Sequence, residues 1–137
     1  AALARAEALG DLIEQLLQVK KLKIVLAVRK KPIINDATME DARQAGLDRM
    51  AIIISSGSGA PATILSQCSP EMRGYYQAAD LIISKGQGSY ESLRGRLENI
   101  FFLFKVKCPV IARDSGYDLD SPVLISSTAA KNVKFGG

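Results

Sequence analysis

The chain contains no histidine and no tryptophan, and only two cysteines among 137 residues. Without histidine, Ser-His-Asp and Cys-His catalysis, His-ligated zinc and imidazole acid–base chemistry are excluded for this chain. Any metal has to sit on oxygen ligands. Cys68 and Cys108 stand apart in sequence and form no C-x-x-C pair, which removes zinc knuckles and thioredoxin-type redox sites; both read as small buried hydrophobes. Aromatic residues make up 6%, too few to supply stacking platforms for nucleic acid, and no recognition motif accompanies them. No apolar run approaches the ~20 residues of a membrane helix. The N-terminal residues do not show a charged segment followed by an apolar stretch and a cleavage site, so a soluble, cytoplasmic chain with no membrane partner is expected.

What is present is ordinary globular composition: 47% hydrophobic, 23% charged, net charge +4 from 18 basic and 14 acidic residues. A chain of this size buries about two-thirds of its unfolded surface, enough for one sizeable core. Residues 1–137 therefore read as one α/β domain, with residues 126–137, rich in Ser, Ala, Lys and Gly, as a loosely ordered tail. The mild basic excess favours anionic ligands. Its one concentration, Lys20, Lys21, Lys23, Arg29, Lys30 and Lys31, brackets an apolar strand and reads as a solvated strand flank in preference to a nucleic-acid surface.

Residues 3–17 place Leu3, Ala6, Leu9, Ile13, Leu16 and Leu17 at three- and four-residue steps, the spacing of a helix with one apolar face. Leu22–Val28, almost without alternation, and Met50–Ile54, Leu81–Ile83 and Ile100–Phe104 run apolar, like strands covered on both faces, with Val123–Ile125 as a weaker fifth. Between them lie helices with readable ends: a capping box from Thr38 to Asp41 with a stop at Gly46, a cap at Ser69 before Pro70, a cap at Ser89, and a start at Pro109 with an end near Gly116. The alternation predicts a three-layer α/β/α sandwich with a mainly parallel, Rossmann-like sheet of about five strands.

In such sheets ligands bind beyond the carboxyl ends of the strands. Three segments fall there: Lys31–Thr38, Ser55–Pro61 and Ser84–Ser89. The last of these runs Ser84, Lys85, Gly86, Gln87, Gly88, Ser89. Asp36 follows Asn35 in a strand-to-helix loop, just before a cap, and the pair offers the oxygen donors that a hard cation takes; equally, both fit as turn and cap residues. Lys85 ends a buried strand before two glycines that let backbone amides approach an anion. A lysine that simply reaches solvent is the alternative. No Gly-Lys-Ser/Thr closes a P-loop, and Glu91 takes the place of the third glycine of G-x-G-x-x-G, so neither ATPase nor dinucleotide chemistry is supported.

Together, the Lys31–Thr38 block, the Ser-Gly-Ser loop with Ala60 and Pro61, the Ala79–Glu91 block with its Lys-Gly-Gln-Gly core, and Asn99–Phe102 through Lys107–Val110 resemble the metal-dependent damage-control phosphatases, also catalogued as domain of unknown function 89. The resemblance runs from about residue 7 to 118. It implies a Rossmann-like domain that hydrolyses phosphate monoesters of small metabolites with a divalent cation (Mg, Mn, Co or Ni). It also implies roles: Asp36 as metal ligand with Asn35 beside it, Lys85 on the phosphate, and Gly86, Gln87, Gly88 and Ser89 as its cradle. Ser56, Gly57 and Glu7 are the further substrate-binding candidates. Leu3 and Ala4 stand where the family carries a metal-binding Asp-Asn pair, Ser89 where it usually has asparagine, and Gly59 where it usually has a polar residue. The chain is accordingly expected to be the C-terminal part of a longer member, partnered by a helical N-terminal region, with a non-catalytic phosphometabolite-binding module as the alternative.

Overall fold

The computed structural model describes residues 2–31 and 37–127, with side chains from Ala6 onward. The chain divides into two compact units, Ala1–Pro61 with Leu65–Gln77, and Ala62–Ile64 with Ala78–Gly137.

The first unit opens with helix α1 (Ala2–Val19), followed by strand β1 (Val25–Val28), helix α2 (Met39–Gln44) and strand β2 (Ile52–Ser55). Strands β1 and β2 pair in parallel, Val25 beside Ile52 through Val28 beside Ser55. Between them α2 forms because its ends are well capped. The Thr38 hydroxyl accepts from the Asp41 amide while the Asp41 carboxylate accepts from the Thr38 amide, and Gly46 follows the helix in the left-handed region. Ala6, Val28, Ala42 and Leu47 form the buried centre, with Leu9, Leu26, Met39 and Ile53 packed against it. Helix α3 (Pro70–Ala78) starts where Ser69 Oγ accepts from the Met72 amide at 3.1 Å.

The second unit holds strand β3 (Ile82–Lys85), helix α4 (Gln87–Leu93), strand β4 (Ile100–Lys105), helix α5 (Pro109–Ser115) and strand β5 (Pro122–Ser126). Its sheet order is β3-β4-β5. Strands β3 and β4 are parallel, with Ile82 beside Ile100. Strands β4 and β5 are antiparallel, with Phe101 beside Ser126 and Lys105 beside Pro122. Tyr90 of α4 is fully buried, stacked on Phe104 at 4.4 Å and edge-on to Phe102 at 5.2 Å.

Five strands form, at the expected places, but among the described residues they group as a pair and a triplet, and one pairing is antiparallel. The reversal is set at the end of β4: the Asp120 amide donates to Val106 O at 2.7 Å and the Val106 amide to Ser121 O at 3.0 Å, so β5 begins where β4 ends. The strands of this unit are also not covered on both faces. Along β4 and β5 burial alternates: Ile100, Phe102, Phe104, Val123 and Ile125 lie inside, while Phe101 and Leu124 are exposed. Ser126, expected in a loose tail, closes β5.

Candidate functional site

In the second unit the parallel pair β3 and β4 brings two chain segments to one edge, because the carboxyl ends of parallel strands lie together. Lys85, exposed, is the last residue of β3. The Gly86 amide donates to Leu103 O at 2.8 Å, continuing the ladder one residue beyond the strand. Gly86 then turns with φ 101° and ψ 146°, a combination that side-chain-bearing residues avoid, and the chain passes directly into α4. Helix α4 thus begins at Gln87. Ser89, expected as its cap, is instead a buried residue within the helix. Its hydroxyl lies 2.9 Å from that of Thr63, so it holds the segment that precedes α3 in sequence.

Gln87 also has a structural engagement. Its Oε1 accepts from the Lys107 amide at 2.7 Å, and its Nε2 donates to Glu91 Oε1 at 2.9 Å and lies 3.7 Å from Cys108 Sγ. Lys107 and Cys108 occupy the turn after β4, at the same carboxyl edge as Lys85, the last residue of β3, and Gly86 after it. The edge therefore gathers Lys85, Gly86, Gln87, Gly88, Lys107 and Cys108, with Glu91 one helical turn behind.

In the first unit the loop after β2 is stitched to itself. The Gly57 amide donates to Ser55 Oγ at 3.1 Å, the Ser58 amide to Ser56 Oγ at 3.3 Å, and the Ala60 amide to Ser58 Oγ at 3.1 Å. Ser56 and Ser58 are buried. Ser56, expected to bind substrate, thus uses its hydroxyl within the loop, as serine does in turns. Gly57 has φ 75°, and a Cβ there would stand 2.7 Å from Ser69 Cβ and 2.8 Å from Ser69 N. This glycine is required by the close approach of the loop to the start of α3. Arg29, just past β1, donates from Nη2 to Pro61 O at 3.1 Å and pins the far end of the loop. Glu7 is an exposed residue of α1.

Asn35 and Asp36 lie outside the described residues. On either side of that segment the Arg29 amide donates to Ala37 O at 3.2 Å, and Arg29 and Thr38 form a parallel bridge. Among the described residues no three His, Cys, Asp or Glu side chains are placed to hold a metal ion. The described donor set does not make a metal centre by itself. Neither cysteine is in a disulfide; Cys68 is buried and Cys108 half-buried. Burial pushes the Cys68 thiol up, against the opposing pull of Arg29 and Arg73, so it is a poor nucleophile.

Three residues of these edges escape a reading of the sequence. Arg29 reads there as part of a solvated basic cluster, and its position immediately after β1 is the available signal. Thr63 and Lys107 act through contacts 26 and 20 residues away, for which no local pattern exists.

Residues 7–123 match the model of the damage-control phosphatase ARMT1-like domain. The chain is similar to a damage-control phosphatase of Pyrococcus horikoshii, 40% identical over 104 residues that make up 75% of this chain and 36% of that protein. It is also similar to a damage-control phosphatase of Archaeoglobus fulgidus, 38% identical over 121 residues, 83% of this chain and 42% of that protein. Among solved structures, a duf89 family protein from Pyrococcus horikoshii superposes with a TM-score of 0.81 at 37% identity, covering 85% of this chain and 41% of that one. The chain spans about two-fifths of the length of the relatives it matches. No helix among the described residues is long and apolar enough to cross a membrane. By the extent of the domain match and the identity to these relatives, the chain belongs to the damage-control phosphatase ARMT1-like domain family.

Proposed function

We propose that this chain is the phosphate-handling part of a metal-dependent phosphatase that hydrolyses phosphate monoesters of small metabolites, sugar phosphates or damaged phosphometabolites. The observation that carries the reading is the edge of the second unit. Lys85 stands exposed at the carboxyl end of β3. Directly after it comes Gly86, whose φ of 101° belongs to a residue without a side chain, so an anion can approach the backbone beside the lysine. A phosphoryl group in transfer carries charge on several oxygens, and a fixed cation stabilises it more than it stabilises the solvated ester. In this reading Lys85 meets the phosphate, and Gly86 and Gly88 keep the approach clear of side chains. The divalent ion belongs to the same proposal, on oxygen donors from Asp36 and Asn35, where it would polarise a phosphoryl oxygen.

The test is phosphate release from a panel of sugar phosphates with Mg²⁺, Mn²⁺, Co²⁺ or Ni²⁺. Turnover is expected only with metal, and to fall by about a hundredfold or more in Asp36→Ala and Lys85→Ala, the scale of losing one electrostatic contact to the transition state. Metal-independent turnover, or full activity in either variant, refutes the assignment. The second reading is a non-catalytic module that binds phosphorylated metabolites. It is favoured by Leu3 and Ala4 at the positions of the family's Asp-Asn pair, and it expects phosphate to raise the melting temperature while added metal changes nothing.

A further inference from the structure

The geometry points to Gln87 as a positioning residue that ties the turn after β4 to the Lys85–Gly86 segment, and not as a ligand for substrate. A glutamine amide has one accepting oxygen and a doubly donating nitrogen. Here the oxygen takes the Lys107 amide at 2.7 Å and the nitrogen reaches Glu91 at 2.9 Å, with Cys108 Sγ at 3.7 Å. The orientation of the amide is fixed by its neighbours. A backbone N–H can only donate and a carboxylate can only accept, so oxygen must face Lys107 and nitrogen must face Glu91. The side chain thus bridges α4, the turn after β4 and the residue that precedes α5.

Gly86 is already held from the other side by Leu103 O at 2.8 Å. With Gln87 anchored, the two residues after Lys85 are both fastened to β4 or its turn, and the lysine's backbone is held in register with the sheet. The functional half of this inference rests on the reading of Lys85 as the phosphate contact. Removing the Gln87 amide is expected to weaken an anion at Lys85 although no ligand contact is lost.

The experiment uses the whole chain, with inorganic phosphate as the probe and amide hydrogen exchange at Lys107 as a second measurement. Gln87→Leu is expected to speed Lys107 exchange and to weaken phosphate binding, each by about tenfold, the size of one hydrogen bond. Gln87→Glu alone sets two carboxylates against each other and is expected to weaken phosphate to a similar degree. Glu91→Gln added to Gln87→Glu restores the two bonds to Lys107 and residue 91, the latter with reversed polarity: residue 87 accepts from both Lys107 and residue 91. It is expected to return exchange and affinity to within about twofold of the parent. A residue that touched phosphate directly would not be rescued by a carboxylate.

Ser127→Ala serves as the control for general loosening. The Ser127 hydroxyl accepts from the Ile100 amide at 3.2 Å and donates to Glu98 O at 2.8 Å, elsewhere in the same unit. This variant is expected to lower the melting temperature and leave phosphate affinity unchanged. Unchanged Lys107 exchange in Gln87→Leu, or no rescue in the exchanged pair, overturns the inference. Absence of phosphate binding by the parent chain refutes the Lys85 reading, while the exchange measurement still decides whether Gln87 is the tie.

Discussion

Gly57→Ala tests how closely the Ser-rich loop is seated on α3. The new methyl group would lie 2.7 Å from Ser69 Cβ, 2.8 Å from Ser69 N and 3.2 Å from Ser69 Cα. These atoms cannot swing aside as a flexible side chain would. The Ser69 amide donates to Ser56 O at 2.9 Å and its hydroxyl caps α3, so relief requires breaking one bond or the other. The left-handed backbone costs about 1–2 kcal/mol for alanine, the overlap adds about 1–3 kcal/mol, and the stiffer unfolded chain returns about 0.4–1 kcal/mol. A loss of about 2–4 kcal/mol is expected. Two companions separate these contributions. Gly46→Ala has the same backbone sign, φ 77°, with nothing within 4 Å, so it should lose only about 1 kcal/mol. Gly59→Ala has neither strain nor neighbour and should be neutral or slightly stabilising. Equilibrium unfolding in urea, read as a shift of midpoint at constant slope, measures all three. If Gly57→Ala costs no more than Gly46→Ala, the close approach to Ser69 is wrong.

Thr38→Ala removes the cap of α2 and should cost about 1 kcal/mol by the same unfolding measurement. The Thr38 amide and hydroxyl hold the Asp41 carboxyl below its ordinary range. Its folded value lies under its unfolded one, so this stabilisation is complete at neutral pH and is lost as pH falls through the depressed value; Asp41→Asn should flatten that part of an acid titration of stability. Tyr90→Ala empties a fully buried site between Phe102 and Phe104 and should cost about 3–5 kcal/mol, visible as early loss of the second unit's amide protection.

Local features were legible where the residues that cause them are adjacent. The capping box at Thr38 and Asp41, the Ser69–Pro70 start of α3 and the Pro109 start of α5 all form as the sequence indicates, because each depends on atoms within four residues. Ser89 misled for the opposite reason. A serine before a short helical stretch resembles a cap, but Gly86 can turn out of β3 without one, and Thr63 claims the hydroxyl from 26 residues away. The direction of β5 was illegible in a pattern of apolar runs, since it is set by the hydrogen bonds of Val106 with Asp120 and Ser121, which such a pattern does not encode. In the candidate site, Lys85 and Gly86 stand at a strand end as expected, whereas Ser56 and Gln87 have partners within the protein. Polar side chains in loops advertise hydrogen bonding, not the identity of the partner.

The antiparallel course of β5 has a practical corollary for handling the molecule. The strand finishes beside the start of β4, where Ser126 faces Phe101 and the Ser127 hydroxyl grips Glu98 O. Ser127 therefore lies at the rim opposite Lys85 and Gly86. A label on Ser127 would stand away from the proposed phosphate end, whereas a label on Cys108 would sit directly upon it.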